Sequence, residues 1–170
     1  MTRRLLSFPD PVNDNAARTV AAGVVAMAVA FLVTGQGWLL VILAAGFWAR
    51  VATGPTLSPL GQLATRVVAP RLGPSRPVPG PPKRFAQAIG TVFSSTALVL
   101  WFAAGAHVAA MVVVGALTGA AGLEAALGFC LGCKGFALLM RAGIIPAEVC
   151  EACADLSLRH PELRRTTAGV

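Results

Sequence analysis

A chain of 170 residues with a net charge of +7, 56% hydrophobic and 12% charged residues, lies outside the usual soluble range; ordinary domains carry about 25% charged residues. A soluble all-α protein is excluded because nothing supplies the polar helix faces that water demands. The pI near 10.6 invites a nucleic-acid reading, but no basic stripe is interleaved with aromatics, so that partner class is excluded as well.

Along the chain, Arg3 and Arg4 are followed by Phe8, Pro9, Asp10 and Pro11, which break the apolar segment that a cleaved signal peptide needs. No charged side chain then occurs over residues 19–49. A second run, 85–123, has His107 as its only ionisable group. A membrane helix takes roughly 20 apolar residues, so each run holds two crossings. The first doubles back at Thr34-Gly35-Gln36-Gly37, which predicts helices over 16–33 and 38–52. Arg18 and Arg50 sit at their far ends, where they snorkel to the interface, and Trp38 takes an aromatic-belt position. The second run turns at Gly105-Ala106-His107, which predicts helices over 86–104 and 108–129, with His107 interfacial. Between the pairs, the loop 54–84 is rich in proline and arginine. It is expected to hold a short interfacial helix over 60–68 and an extended stretch over 70–82. The fold class is therefore all-α: a polytopic four-helix membrane domain over 16–140, a tail over 1–15 and a short helical tail over 141–170.

Basic residues set the orientation. Neither turn has a lysine or arginine, whereas the central loop carries Arg66, Arg71, Arg76, Lys83 and Arg84 and no acid. Basic loops stay in the cytoplasm, so both termini and the central loop are expected inside and the two turns outside. Gly115 and Gly119, followed by Gly122, form a small-residue pair on the fourth helix. It reads as packing within the bundle, with a homodimer face as the alternative.

All four cysteines fall into two CxxC pairs, Cys130-Leu131-Gly132-Cys133 and Cys150-Glu151-Ala152-Cys153, separated by sixteen residues. Both lie on the cytosolic side in this topology, where a permanent structural disulfide is not expected. Two chemistries suit them, against a plain reading of unmetallated thiols with no role. Four thiolates at this spacing close a tetrahedron around zinc, which would staple the tail beneath the bundle. Alternatively one thiolate of a CxxC attacks and the other resolves. Lys134 next to Cys133 favours a thiolate there, while Glu151 opposes one. Cys130 and Cys133 are then the reactive dithiol, with Cys150 and Cys153 the exchanging pair. Spacing alone favours zinc, and no other cofactor is implied. Gly128, Gly132 and Gly135 weaken a regular helix by roughly 1 kcal/mol each, which predicts a distorted helix end or a tight turn at the first pair. Pro146 and Glu148 suit the first turn of a further helix carrying the second pair.

Glu124 is the only acid between Asp14 and Glu148. It lies seventeen residues beyond His107, about 26 Å along a helix, within the inner part of the bilayer. A carboxylate there needs a partner. The expected one is Arg50, as a structural pair. In the functional version, Arg18, Arg50 and Glu124 form a binding pocket that draws an anionic sulfur compound towards the thiols. A small transporter of sulfur-containing anions is the weaker third reading.

Several of these residues also form an ordered set: Pro11-Val12-Asn13 with Ala17-Arg18; Gly54-Pro55 with Ser58-Pro59-Leu60; Pro82-Lys83-Arg84-Phe85-Ala86 with Ile89-Gly90; and Gly128-Phe129-Cys130-Leu131-Gly132-Cys133. Together they resemble the bacterial integral-membrane family catalogued as domain of unknown function 4395, over about residues 8–140. The resemblance implies that the first cysteine pair is the widespread one and the second belongs to a subset, which turns the balance from zinc to thiol chemistry. The layout is similar to that of membrane dithiol oxidoreductases with a CxxC at a helix end, although no quinone-site signature is evident. The expectation is a multi-pass protein of the bacterial cytoplasmic membrane that handles thiols, disulfides or sulfur. The bilayer is its medium, and a cytosolic thioredoxin-like or sulfurtransferase protein is its partner.

Overall fold

The computed structural model describes residues 8–74 and 77–150. Its frame is four long helices: α1 (Asp14–Thr34), α2 (Trp38–Thr53), α5 (Gly80–Phe102) and α6 (His107–Leu127). Shorter pieces lie between and after them. Helix α3 (Pro59–Leu63) runs through a π-helical turn, Ala64–Val68, into α4 (Ala69–Arg71). Helix α7 (Leu131–Arg141) is followed by a 3-10 turn, Ala147–Cys150. Three of the long helices, α1, α5 and α6, are long and apolar enough to cross a membrane, and the 16-residue α2 is a shorter apolar helix.

Local chemistry sets the ends of these helices. Asn13 caps α1 by accepting from the Ala16 N–H, and Gly35 closes it at φ 66°, a left-handed conformation that a side chain disfavours. Helix α5 begins six residues earlier than the sequence suggests. Its first turn takes Pro81 and Pro82, because prolines there forfeit only N–H groups that have no helical partner. Asp10 Oδ1 accepts from the Gly80 N–H at 2.9 Å and finishes that cap. Gly128, at φ 67°, ends α6.

Helix α1 packs on α6, α2 on α5, and α5 on both α6 and α7. One end of the bundle holds the two short turns. Phe31 is fully buried there and meets Trp101 edge to face at 4.9 Å, and His107 also meets Trp101 edge to face, at 4.4 Å. Midway, Val24, Leu43, Phe47 and Leu117 form a second apolar cluster. At the opposite, basic end, Ala16 and Val20 of α1 receive Ala64 and Ala69 from the loop segment α3–α4. A two-residue antiparallel ladder, β1 (Val12–Asn13) with β2 (Pro77–Val78), ties the N-terminal segment to the central loop. Nothing in the sequence announces that pairing.

The outward faces are as apolar as the core. Val33 (79% exposed), Val108 (77%), Val92, Val99 and Val112 all point away from the bundle. Water would penalise such faces and hydrocarbon would not. Gly115, Gly119 and Gly122 also open outward, with nothing within 4 Å of where a Cβ would stand. The expectation that they pack within the bundle is therefore corrected. Close approach falls instead at Gly90, against the Phe47 ring, and at Gly132 on α7.

Candidate functional site: a dithiol over a buried ion pair

Of the two expected arrangements for the 128–135 segment, the structure has the tight turn: Gly128 ends α6, and a new regular helix, α7, starts at Leu131 with Cys130 as its cap. Cys130 Sγ accepts from the Cys133 N–H at 3.3 Å, the geometry of an N-cap made by sulfur. Gly132 permits the placement. A Cβ there would lie 2.6 Å from Ala86 Cβ and 2.7 Å from its Cα, so only glycine lets α7 lie this close to α5. Phe136 then buries itself edge to face with Phe85 at 5.6 Å.

Both cysteines of this pair are free, Cys130 buried and Cys133 partly so. Their proton affinities diverge. The Cys130 thiol is pulled below its ordinary value, first by the hydrogen bond from the Cys133 side chain, then by the Cys133 backbone N–H and the Lys83 charge, against the opposing effects of burial and Glu124. The Cys133 thiol is pushed up, first because it donates to Cys130 and then by burial. The pair thus separates into a thiolate-prone Cys130 at a helix N-terminus and a proton-holding Cys133.

The cation beside them is not the one the sequence suggests. Lys134, the expected neighbour, lies 5.5 Å from the Phe129 ring centroid. Lys83 of α5 takes the role. It is buried, its Nζ lies 2.7 Å from Glu124 Oε1 and 3.5 Å from Asp14 Oδ1, and so it ties α5, α6 and α1 together. The expected Glu124–Arg50 pair is therefore corrected to Glu124–Lys83. A lysine on the other arm of the same hairpin reaches the carboxylate, and Arg50 is held elsewhere. Its Nε donates to Gln87 Oε1 at 2.9 Å, its Nη1 donates to Ser58 Oγ at 3.4 Å, and its guanidinium faces the Phe47 ring.

Arg18 also departs from the expected anion pocket. Its guanidinium donates to the carbonyls of Ala125 (3.2 Å) and Ala126 (2.8 Å), which are among the unpaired acceptors at the end of α6. It thereby braces the break that presents Cys130. Arg18, Arg50 and Glu124 do not converge on one pocket. Lys83 is the residue that sequence reasoning passed over, although it stands in the quoted Pro82-Lys83-Arg84-Phe85-Ala86 stretch.

Cys130 forms part of the wall of a cavity of about 350 Å³, within the span of small-molecule sites. The rest of that wall is mostly apolar, from Val20, Val24, Phe93 and Leu117 among others, with Glu124 and Gln87 as its polar members. Of the second pair, Cys150 is buried and disulfide-bonded, at the end of the 3-10 turn that packs on α5. Glu151 and Cys153 lie outside the described residues. Among the described residues no three metal-ligating side chains gather, and in this form Cys150 has no thiolate to offer a metal.

A family model for a domain of unknown function (DUF4395) matches residues 12–141, which takes in every element of the site. No curated protein matches the chain, and no solved structure does.

Proposed function

We propose, taking as premise that the chain belongs to the DUF4395 family, that it is a membrane-embedded thiol–disulfide exchange protein whose reacting pair is Cys130 and Cys133. The observation that carries this reading is the asymmetry of the pair's placement: Cys130 Sγ sits at the N-cap of α7, accepts from the Cys133 N–H at 3.3 Å and lines a cavity, while Cys133 stands one turn further along the helix. That is the division of labour an exchange reaction requires. The Cys130 thiolate attacks one sulfur of a substrate disulfide, forming a mixed disulfide and releasing the first thiol. Cys133 then gives up its proton and attacks Cys130 Sγ. The mixed disulfide breaks, the second substrate thiol leaves, and a Cys130–Cys133 disulfide remains. Two electrons have passed to the substrate.

The apolar cavity beside Cys130 favours a substrate whose reacting sulfur is carried on an apolar group. The second CxxC motif, whose Cys150 ends the turn that packs on α5, is the exchanging partner of the first in this reading. In the membrane arrangement we favour, α2 crosses as well, giving four spans with both termini and the thiols on the cytosolic side. The basic central loop supports this orientation, and a thioredoxin-like or sulfurtransferase protein is the natural partner there. A bacterial cytoplasmic membrane is the setting implied.

The test is trapping. The C133S variant should accumulate a mixed disulfide with an added aromatic disulfide, whereas C130S should form none, read as a mass shift on non-reducing gels. Equal reactivity of the two variants would overturn the assignment. An impermeant thiol reagent applied to intact cells should leave the cysteines unmodified, and labelling from outside would reverse the orientation.

A further inference from the structure

Among the described residues Arg50 has no carboxylate partner. Both ion pairs among the described residues belong to Lys83, and the groups that meet Arg50 are an amide, a hydroxyl and a phenyl ring, all neutral. The residue is 4% exposed, and its Nη2 is buried without any hydrogen-bond partner. A buried charge is costly unless it is compensated. A guanidinium kept in this position without a counter-charge therefore points to an anion supplied from outside the chain.

The space for one is adjacent. Arg50 lines a cavity of about 220 Å³ at the basic end of the bundle, separate from the one at Cys130. No aspartate or glutamate lines it. Its polar members besides Arg50 are Lys83, Asn13, Gln87 and Thr65. Because the Lys83 charge is shared with Asp14 and Glu124, the uncompensated charge in this wall is that of Arg50. The remaining wall is apolar, with Phe8, Pro9 and Val12 among its members, so the local dielectric is lower than that of water and a charge-assisted contact there is strengthened.

We infer that this cavity is a binding site for an oxoanion of the phosphate type, taken either as free inorganic phosphate or as the phosphate of a lipid headgroup. A planar guanidinium recognises that group through directed, charge-assisted hydrogen bonds. Arg50 is the donor that lines this space, and its charge supplies the field. Thr65 lines the same space from the π-helical turn. The mixture of cationic floor and apolar side wall also suits an amphiphilic anion whose tail stays in the bilayer.

The experiment uses the full chain in nanodiscs of phosphatidylcholine, with the thermal unfolding midpoint read by tryptophan fluorescence. In one arm, sodium phosphate is titrated against sodium chloride at matched ionic strength. In the other, phosphatidylglycerol replaces part of the neutral lipid. A rise in the midpoint with phosphate identifies the free ion, and a rise only with phosphatidylglycerol identifies the headgroup. Either rise should survive R66Q, which removes an exposed loop cation. It should be weakened about tenfold or more in apparent affinity by R50Q. Should R50Q fail to fold, T65V provides the comparison and is expected to weaken binding while keeping the charge. No rise in either arm, or an equal rise in every variant, overturns the inference.

Discussion

The two ends of the bundle are built on different principles. The turn end is dry and neutral: Phe31, Leu40, Ala97 and Val114 are fully buried, with Trp101 wedged among them. The basic end buries Lys83 and Arg50, seats the loop helices and opens into two cavities. At the first end, stability comes from close packing and nothing is left to react. At the second, packing is given up to hold charges and sulfurs in fixed places. A bundle that tolerates such a polar end needs the other to lock its helices together.

The largest expected effects set these two ends against each other. At the basic end, K83M leaves the part-buried Glu124 carboxylate unpaired, which should cost about 3 kcal/mol. It should also move the alkylation profile of Cys130 to higher pH, because a charge that favours the thiolate has gone. The sign is fixed: Lys83 lowers the Cys130 pKa, so its loss raises it. Adding E124L should restore much of the stability by removing the orphaned acid, and alkylation rate against pH separates the two effects. At the turn end, F31A should cost a similar 3–5 kcal/mol through the cavity it leaves. It should leave the Cys130 profile unmoved, and a shifted profile would show that the two ends are coupled.

A smaller effect is expected at the joint between α5 and α7. G132A forces a methyl group into Ala86 and should destabilise by roughly 1–3 kcal/mol. It should also speed alkylation of Cys130 as α7 lifts away. The smallest change is G119A. The glycine faces open space, so the change should stabilise by no more than about 1 kcal/mol, through helix propensity alone. Cross-linking in nanodiscs should show an unchanged oligomeric state. A marked change there would revive the homodimer face.

Much of the frame was legible in the residues, because uncharged runs of that length leave a chain few choices. Thr34 to Gly37 marked one reversal, and Gly105 to His107 the other. The misreadings share a cause. Pro81 and Pro82 suggested an extended stretch, yet prolines are harmless in the first turn of a helix, and Asp10, seventy positions away in the chain, supplies the cap. The glycines around Cys130 suggested a distorted end or a tight turn, since helix propensity counts against them, and gave no sign of the regular helix that follows. Their reason is the closeness of Ala86, which no local rule reports. Lys134 was chosen over Lys83 because it is adjacent in sequence, and adjacency says little about which way a helix turns a side chain.

What the amino-acid order determined by itself is the material of the protein: apolar segments that must avoid water, the places where the chain reverses, and two paired sulfurs near its end. Those follow from hydropathy and from backbone rules that act within a few residues. Only the tertiary structure decided which charge meets which. Lys83 joins Glu124, Arg50 is left with neutral neighbours, and Arg18 serves the end of α6. Electrostatic partners are chosen by distance through space, and helix packing brings together residues that the sequence keeps far apart.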